Sequence, residues 1–381
     1  MQNQSVWLFY FCFFCITCLL HGLVYFTFFY RVGITRPKYE FYFIALLLTL
    51  NLSYIFLHNS FDFPYGINLI LSFSLGISFL LIVGAIFYYL SILPLLLFGT
   101  KEQYYSFLPI ARISCLSLAI LGMIYGSYNG FFKQPKLQKV TLDIPLLSKE
   151  LKIVQISDLH INTFVKIQSI QKVIDIANAT NPDIIVLTGD IVDARSDFVG
   201  EKINLLKGLR SKFGTYYVLG NHEYFHDTKE ILEKLKENNI IILNNTSSTI
   251  SYENKALINI IGITDFFGNN AGFLQPDIQQ AILKATPNIP SVLLSHQPKV
   301  IEYLKNTKIN LVLSGHTHGG QIFPFNLLVP LQQPYVKGLY EFKPQEYIYI
   351  SQGSGFWGPP MRIGTNSEIT LIKLVPQQNI K

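Results

Sequence analysis

Four long apolar stretches crowd the first third of this 381-residue chain, and they restrict its fold more than any other feature. They run over about residues 6–30, 41–57, 67–90 and 108–128. A helix needs roughly 20 apolar residues to cross the hydrocarbon core of a bilayer. None of the four shows the polar face that a helix of a soluble bundle turns to water, which argues against a buried soluble core. The sequence therefore predicts four membrane spans, the second being the shortest. The first is not a signal peptide: no basic stretch precedes Val6, the apolar run is too long, and no small-residue cleavage site follows. Trp7, Tyr10, Tyr30, Tyr104 and Tyr105 stand near the ends of the stretches, as interfacial aromatics do.

Charge divides the chain at the same place. Residues 1–134 hold six Lys/Arg and three acids, and the remainder holds 24 and 21. The break falls at Lys133-Gln134-Pro135-Lys136, so a transmembrane domain over 1–134 and a second domain over 135–381 are expected. Arg31, Arg36 and Lys38 mark the first loop, and Lys101 with Arg112 marks the third. The N-terminus and loop 59–66 carry no Lys or Arg. Positive charge favours the cytoplasm. This predicts a multi-pass protein of the cell membrane with its second domain on the extracytoplasmic side, although Lys133, Lys136 and Lys139 weigh the other way. All four cysteines (Cys12, Cys15, Cys18, Cys115) fall in the spans, where they are expected as small packing residues rather than a metal or palmitoyl site. The second domain thus has neither a Cys nucleophile nor a Cys-ligated zinc.

Beyond residue 134, short β-rich runs alternate with helical patterns. Strands are predicted over 152–157, 183–188, 215–219, 256–262, 291–295, 310–314, 335–342, 347–351 and 368–374. Helices are predicted over 166–179, 201–210, 228–238 and 276–285. This is an α/β layered pattern. Five of the strands end on Asp158-Leu159-His160, Gly189-Asp190, Gly220-Asn221-His222-Glu223, Ser295-His296 and Gly315-His316-Thr317-His318. Strand C-termini of open α/β sheets converge on one crevice. Singly, each ending is weak: an Asp there is usually a cap, an Asn a turn residue, a His a satisfied core or surface group. Together they gather two aspartates, one asparagine and five histidines, with His226 left outside the set. Imidazole mixed with carboxylate favours Mn, Fe or Zn over Ca. The set is too large for one ion and suits two, with Asp190 bridging. Two adjacent cations activate water and clamp the oxygens of an in-line displacement, which is chemistry for hydrolysing a phosphate ester or phosphoanhydride.

These endings resemble the calcineurin-like metallophosphoesterase superfamily, whose pattern runs D-x-H, GD, GNH[DE], H and GHxH, over about residues 151–374. The resemblance implies a four-layer sandwich, two β-sheets flanked by helices, here preceded by the helical membrane domain. It implies that Asp158, His160, Asp190 and His318 hold one divalent metal, and that Asp190, Asn221, His296 and His316 hold the second. It makes His222 a catalytic residue with Asp190, one that meets the phosphate and protonates or stabilises the leaving group. Glu223 stands where Asp is commoner and is expected to position the His222 loop. Asp193 is expected either to support the ligands or to cap a helix. Residues 315–321 and 353–362 are similar to bacterial membrane-associated members. There Phe323, Phe356 and Trp357 are expected as an apolar rim or as core, and Arg362 as a phosphate contact. The expected function is a membrane-anchored, manganese-, iron- or zinc-dependent phosphoesterase, such as a phosphodiesterase, acting on a lipid-linked or cell-envelope substrate. A non-catalytic scaffold is disfavoured because no ligand is missing. A nuclease is disfavoured because the second domain is nearly charge-balanced and has no basic run, so no nucleic-acid partner is expected. Oligomeric state has no signature in the sequence.

Overall fold

The computed structural model describes residues 2–30, 37–57 and 63–377, with side chains from residue 11 onward. It forms two compact units, one running to residue 131 and including 358–361, the other holding 132–357 and the chain from 362.

The first unit is helical: α1 (Gln2–Val24), α2 (Pro37–Leu57), α3 (Tyr65–Phe98) and α4 (Lys101–Ser127), with π-helical turns at Tyr25–Phe29 and Tyr128–Phe132. Four helices, each extended where a π-turn follows, are long and apolar enough to cross a membrane. Thr100 starts α4 with a capping box, its hydroxyl accepting from Gln103 N while the Gln103 side chain accepts from Thr100 N. Gly84 of α3 lies against the Cys115 carbonyl and Ala119 of α4, so Cys115 packs as a small residue at a close helix crossing. Arg31, Arg36 and residues 58–62, on which the orientation argument leans, lie outside the described residues, as do the side chains of Trp7 and Tyr10.

One buried polar network ties three of these helices. His21 Nδ1 lies 2.8 Å from the Thr17 carbonyl, which can only accept, so this nitrogen carries the proton. His21 Nε2 is then an acceptor, 3.2 Å from both Ser78 Oγ and Asn51 Nδ2. Asn51 Nδ2 also donates to Ser78 Oγ at 2.7 Å, and Ser74 Oγ donates to Asn51 Oδ1 at 2.8 Å.

Among the described residues, the second unit holds twelve strands in two mixed sheets. They are β1 (Lys136–Ile144), β2 (Leu151–Ile156), β3 (Ile184–Thr188), β4 (Thr215–Val218), β5 (Ile240–Ile242), β6 (Thr246–Tyr252), β7 (Lys255–Gly262), β8 (Ser291–Leu294), β9 (Leu311–Ser314), β10 (Gly338–Lys343), β11 (Glu346–Ile350) and β12 (Glu368–Pro376). The first sheet runs β1-β12-β2-β3-β4-β5 and the second β10-β11-β9-β8-β7-β6. Helices α5 (Ile167–Ala179), α6 (Ser196–Asn204) and α7 (Thr228–Glu237) cover the first sheet.

Alternation along the strands builds the layers. Ile153, Ile184, Val186 and Tyr216 meet Ile258, Ile260, Val292 and Leu311 between the sheets. Their neighbours Val154, Ile185, Leu187 and Tyr217 pack under α5–α7. Ile261, Leu293 and Val312 pack on the other side against Ala281, Val300 and Leu304. Each fully buried aliphatic side chain contributes about 1.5–3 kcal/mol. Strands buried on both faces read as the continuous apolar runs seen in the sequence. The four-layer α/β arrangement is as expected. Three strands carried no sequence signal: β1 and β6 are half-exposed and polar, and β5 has three residues. Helix α6 begins five residues earlier than expected and ends as a 3-10 turn, and the helix expected over 276–285 is confined to Ile278–Leu283.

Candidate metal centre

The loops after β2, β3, β4, β8 and β9 carry every residue singled out in the strand endings. Among the described residues, their Asp and His ligand atoms gather in overlapping groups: Asp158, His160 and His318; Asp190, His296 and His316; and His160 and His222 with Asp193. His160 Nε2 stands 3.0 Å from His318 Nε2, which is 3.4 Å from Asp158 Oδ1. His296 Nε2 stands 3.0 Å from Asp190 Oδ2 and 3.3 Å from His316 Nδ1. Asp190 Oδ2 is also 4.0 Å from His160 Nε2, so it lies between the groups.

The local backbone is bent to make this possible. Asp158, His160, Asp190, His316 and His318 all take positive φ, between 48° and 69°. Each such non-glycine residue costs on the order of 1–3 kcal/mol and persists only where its surroundings hold it. Two preceding glycines are sterically required. A Cβ on Gly220 would overlap Asp190 Oδ1, and one on Gly315 would overlap Ser157 Oγ and Asp158 Oδ2. Glu223 is fully buried and accepts the N–H groups of Asp190 (3.2 Å), Ile191 (2.7 Å), Val192 (3.1 Å) and Gly220 (2.9 Å). It therefore secures the Asp190 turn as well as the start of its own loop, a wider task than the sequence suggested.

Neighbouring groups set the tautomers. His296 Nδ1 donates to the Thr188 carbonyl at 2.8 Å, and His160 Nδ1 donates to Asp193 Oδ2 at 3.2 Å. In their neutral forms both rings would turn an Nε2 lone pair to the centre, although without a metal burial is outweighed by Asp190 and Asp158, which hold His296 protonated. Asn221 Oδ1 is buried and has no hydrogen-bond partner. Imidazole and carboxylate donors crowded at about 3 Å, plus an orphaned amide oxygen, are what a cation would satisfy. The mixed N/O donor set fits two borderline divalent metals.

A model of calcineurin-like phosphoesterases matches residues 151–320. An uncharacterised metallophosphoesterase of Campylobacter jejuni is 38% identical over 285 residues, covering 74% of this chain and 75% of its own. The chain belongs to the calcineurin-like metallophosphoesterase family. A Helicobacter pylori metallophosphoesterase is likewise 38% identical, over 68% of this chain and 69% of its own. A Bos taurus transmembrane protein with a metallophosphoesterase domain is 34% identical over 61% of this chain and 54% of its own.

Within this metallophosphoesterase, His222 groups with His160 and Asp193, its ring centroid 4.7 Å from that of His160. Its Nδ1 is 2.7 Å from Asp193 Oδ1, and its Nε2 is 4.0 Å from Asp190 Oδ2. Burial disfavours its charge, but Asp193 and Asp190 outweigh that and push its pKa up to about 9. Burial also works against the Asp190 carboxylate, yet His296 and His222 hold it well below the usual range. Burial, then the charge of His296, pulls His316 down to about 3; burial, His160 and Arg362 keep His318 well below the ordinary imidazole value. Those two rings are neutral, the state in which an imidazole can bind a metal.

Several expectations change here. Asp193 is no helix cap: it contacts His160, His222 and His226, the last at 3.4 Å from Nε2. His226 therefore joins the cluster it was excluded from. Arg362 is fully buried and donates to the carbonyls of Gly355 (2.7 Å) and Gln352 (2.8 Å), with Nη2 3.3 Å from His318 Nδ1. It supports the His318 loop and is not a surface contact for phosphate. Burial lowers its pKa to about 10. Phe356 packs into the core and stacks on Phe164, whereas Phe323 and Trp357 are exposed. The Trp357 ring is 6.0 Å from His222, and that of Phe225, which the sequence did not flag, is 5.4 Å away. Asp265 was also missed, although it follows β7 as the other endings follow their strands. One of its oxygens accepts from Gln297 Nε2 at 2.7 Å, the other is buried without a partner, and burial raises its pKa to about 6.

Proposed function

We propose that this chain is a membrane-anchored hydrolase that cleaves a phosphoester or phosphoanhydride, with a lipid-linked or cell-envelope phosphate as substrate. The observation that carries the proposal is the convergence of Asp158, His160, Asp190, His296, His316 and His318, with a buried Asn221 oxygen left without a partner on the β4 loop. Asp158, His160, Asp190 and His318 would hold one divalent cation, and Asp190, Asn221, His296 and His316 the other. Such a pair, when bound, supplies Lewis acidity and a water of lowered pKa. Asp193 fixes the His222 ring through Nδ1, leaving Nε2 turned toward Asp190. His222 is the one histidine of this set that is raised yet still reaches solvent, with 13% of its side chain exposed. Its Nε2 proton is positioned for transfer to the leaving oxygen.

Anchoring supports a lipid-linked substrate, because it raises the effective concentration of anything in the same membrane. The apolar neighbours of His222, Phe225 and Trp357, suit a substrate with an apolar part beside its phosphate. The Lys/Arg bias of the short loops supports an extracytoplasmic active site, which protease accessibility in sealed cells tests. For the reaction, purified full-length protein with Mn²⁺ is expected to hydrolyse bis(p-nitrophenyl) phosphate. Asp190→Asn is expected to remove that activity; full activity in the variant would refute the bridging role. Absence of bound metal in active-site titrations would favour a scaffold instead.

A further inference from the structure

Five residues after His318 the chain enters a short hairpin, 323–331, that is apolar and turned outward. Phe323 (46%), Phe325 (43%), Leu327 (65%), Leu328 (54%) and Leu331 (81%) are all exposed. The segment is built as two 3-10 turns, Phe325–Leu327 and Val329–Leu331. Its root is firmly held. Gln321 Nε2 donates to the Trp357 carbonyl at 2.7 Å, Trp357 N donates back to Gln321 Oε1 at 2.9 Å, and Phe323 N donates to the Ile363 carbonyl at 3.0 Å. The same amide pair that fixes the hairpin therefore fixes Trp357, whose ring adjoins His222.

Such a cluster of exposed leucines and phenylalanines on an anchored root is a built surface rather than scattered exposure. Two observations select its occupant. The same chain carries four helices of membrane-crossing length, which confine the catalytic unit to the neighbourhood of a bilayer. From Tyr303 to Tyr340 the sequence has no acidic residue but has Lys305, Lys308 and Lys337, so nothing on this stretch repels anionic headgroups. Exposed Leu and Phe in an acid-free stretch that also carries lysine is the composition of segments that lie in a membrane interface.

We propose that hairpin 323–331 seats in the phospholipid interface and delivers a phosphate-bearing lipid, alkyl part first against Trp357, to His222. The delivery half rests on the hydrolase reading above; the seating half does not. The test uses the full chain, Mn²⁺-loaded, in phosphatidylcholine–phosphatidylglycerol nanodiscs, with two matched substrates: butyl and hexadecyl p-nitrophenyl phosphate. In the triple variant Leu327→Asp, Leu328→Asp, Leu331→Asp, turnover of the hexadecyl ester is expected to fall about tenfold through KM, with the soluble butyl ester unchanged. Equal effects on both esters, or on neither, would overturn the delivery. Seating is read separately from a Leu328→Trp variant, whose added fluorescence is expected to be quenched by brominated lipid. An unquenched signal overturns seating, as does a triple variant that merely loses a dimer while keeping hexadecyl turnover. If wild type cleaves neither ester yet Leu328→Trp is quenched, the hydrolase reading fails and the seating stands.

Discussion

His21 in the helical unit and His160 in the sheet unit are both buried histidines, and the contrast between them shows what marks a metal site. Around His21 every polar role is matched: a carbonyl takes the Nδ1 proton, and a hydroxyl and an amide approach the Nε2 lone pair. Around His160 only the outer nitrogen is matched, by Asp193, while Nε2 faces another imidazole nitrogen. The His21 network is closed by neutral partners, as buried polar groups must be when nothing else will satisfy them. The His160 cluster instead crowds imidazoles against the carboxylates of Asp158, Asp190 and Asp193, an arrangement a cation would satisfy. Burial of a histidine therefore says little; the direction of its unmatched lone pair says much.

That contrast can be broken in four ways. Losing a ligand should matter most. Since partners of metal ligands alone cost 10–100-fold, Asp190→Asn is expected to lower phosphodiester turnover by at least about 100-fold, with reduced bound metal by elemental analysis. His222→Ala is expected to lower turnover by about 10²–10⁴-fold while leaving metal content intact, which separates proton transfer from metal holding.

The third test is pH. In the metal-free chain the pKa of His222 is raised to about 9 from 6.5, so its protonated form stabilises the fold. That contribution is complete below pH 6.5 and is lost as pH rises through 9. The gap in thermal midpoint between chelated wild type and Asp193→Asn should accordingly narrow from pH 6 to pH 10; a constant gap would show that Asp193 does not hold the proton on His222. The smallest effect belongs to the closed network. Asn51→Leu is expected to cost about 0.6–1.7 kcal/mol of helical-unit stability, read by thermal melting in detergent, with metal content unchanged.

The sheet unit was more legible than its details. Strand endings revealed the ligands because each follows a run buried on both faces, a pattern visible without knowing the fold. The parallel pairing of β1 with β12 was invisible, since its partners are more than 200 residues apart and β1 is half-polar. His226 was missed because it follows a 3-10 turn rather than a strand, whereas Asp265 stands as close to the end of β7 as the other endings do to theirs and was overlooked because no histidine accompanies it. Arg362 was misjudged because a cation near a phosphate site suggests a ligand contact, whereas here it satisfies backbone carbonyls. The glycines of the ligand loops carried more meaning than their flexibility, since Gly220 and Gly315 leave room for carboxylates from another strand.

Metal stoichiometry tests the central claim most directly. Full-length protein, stripped by chelation and reloaded with Mn²⁺, should retain two ions per chain after gel filtration, and Asn221→Ala should retain fewer. Wild type holding no ion while still hydrolysing bis(p-nitrophenyl) phosphate would contradict it.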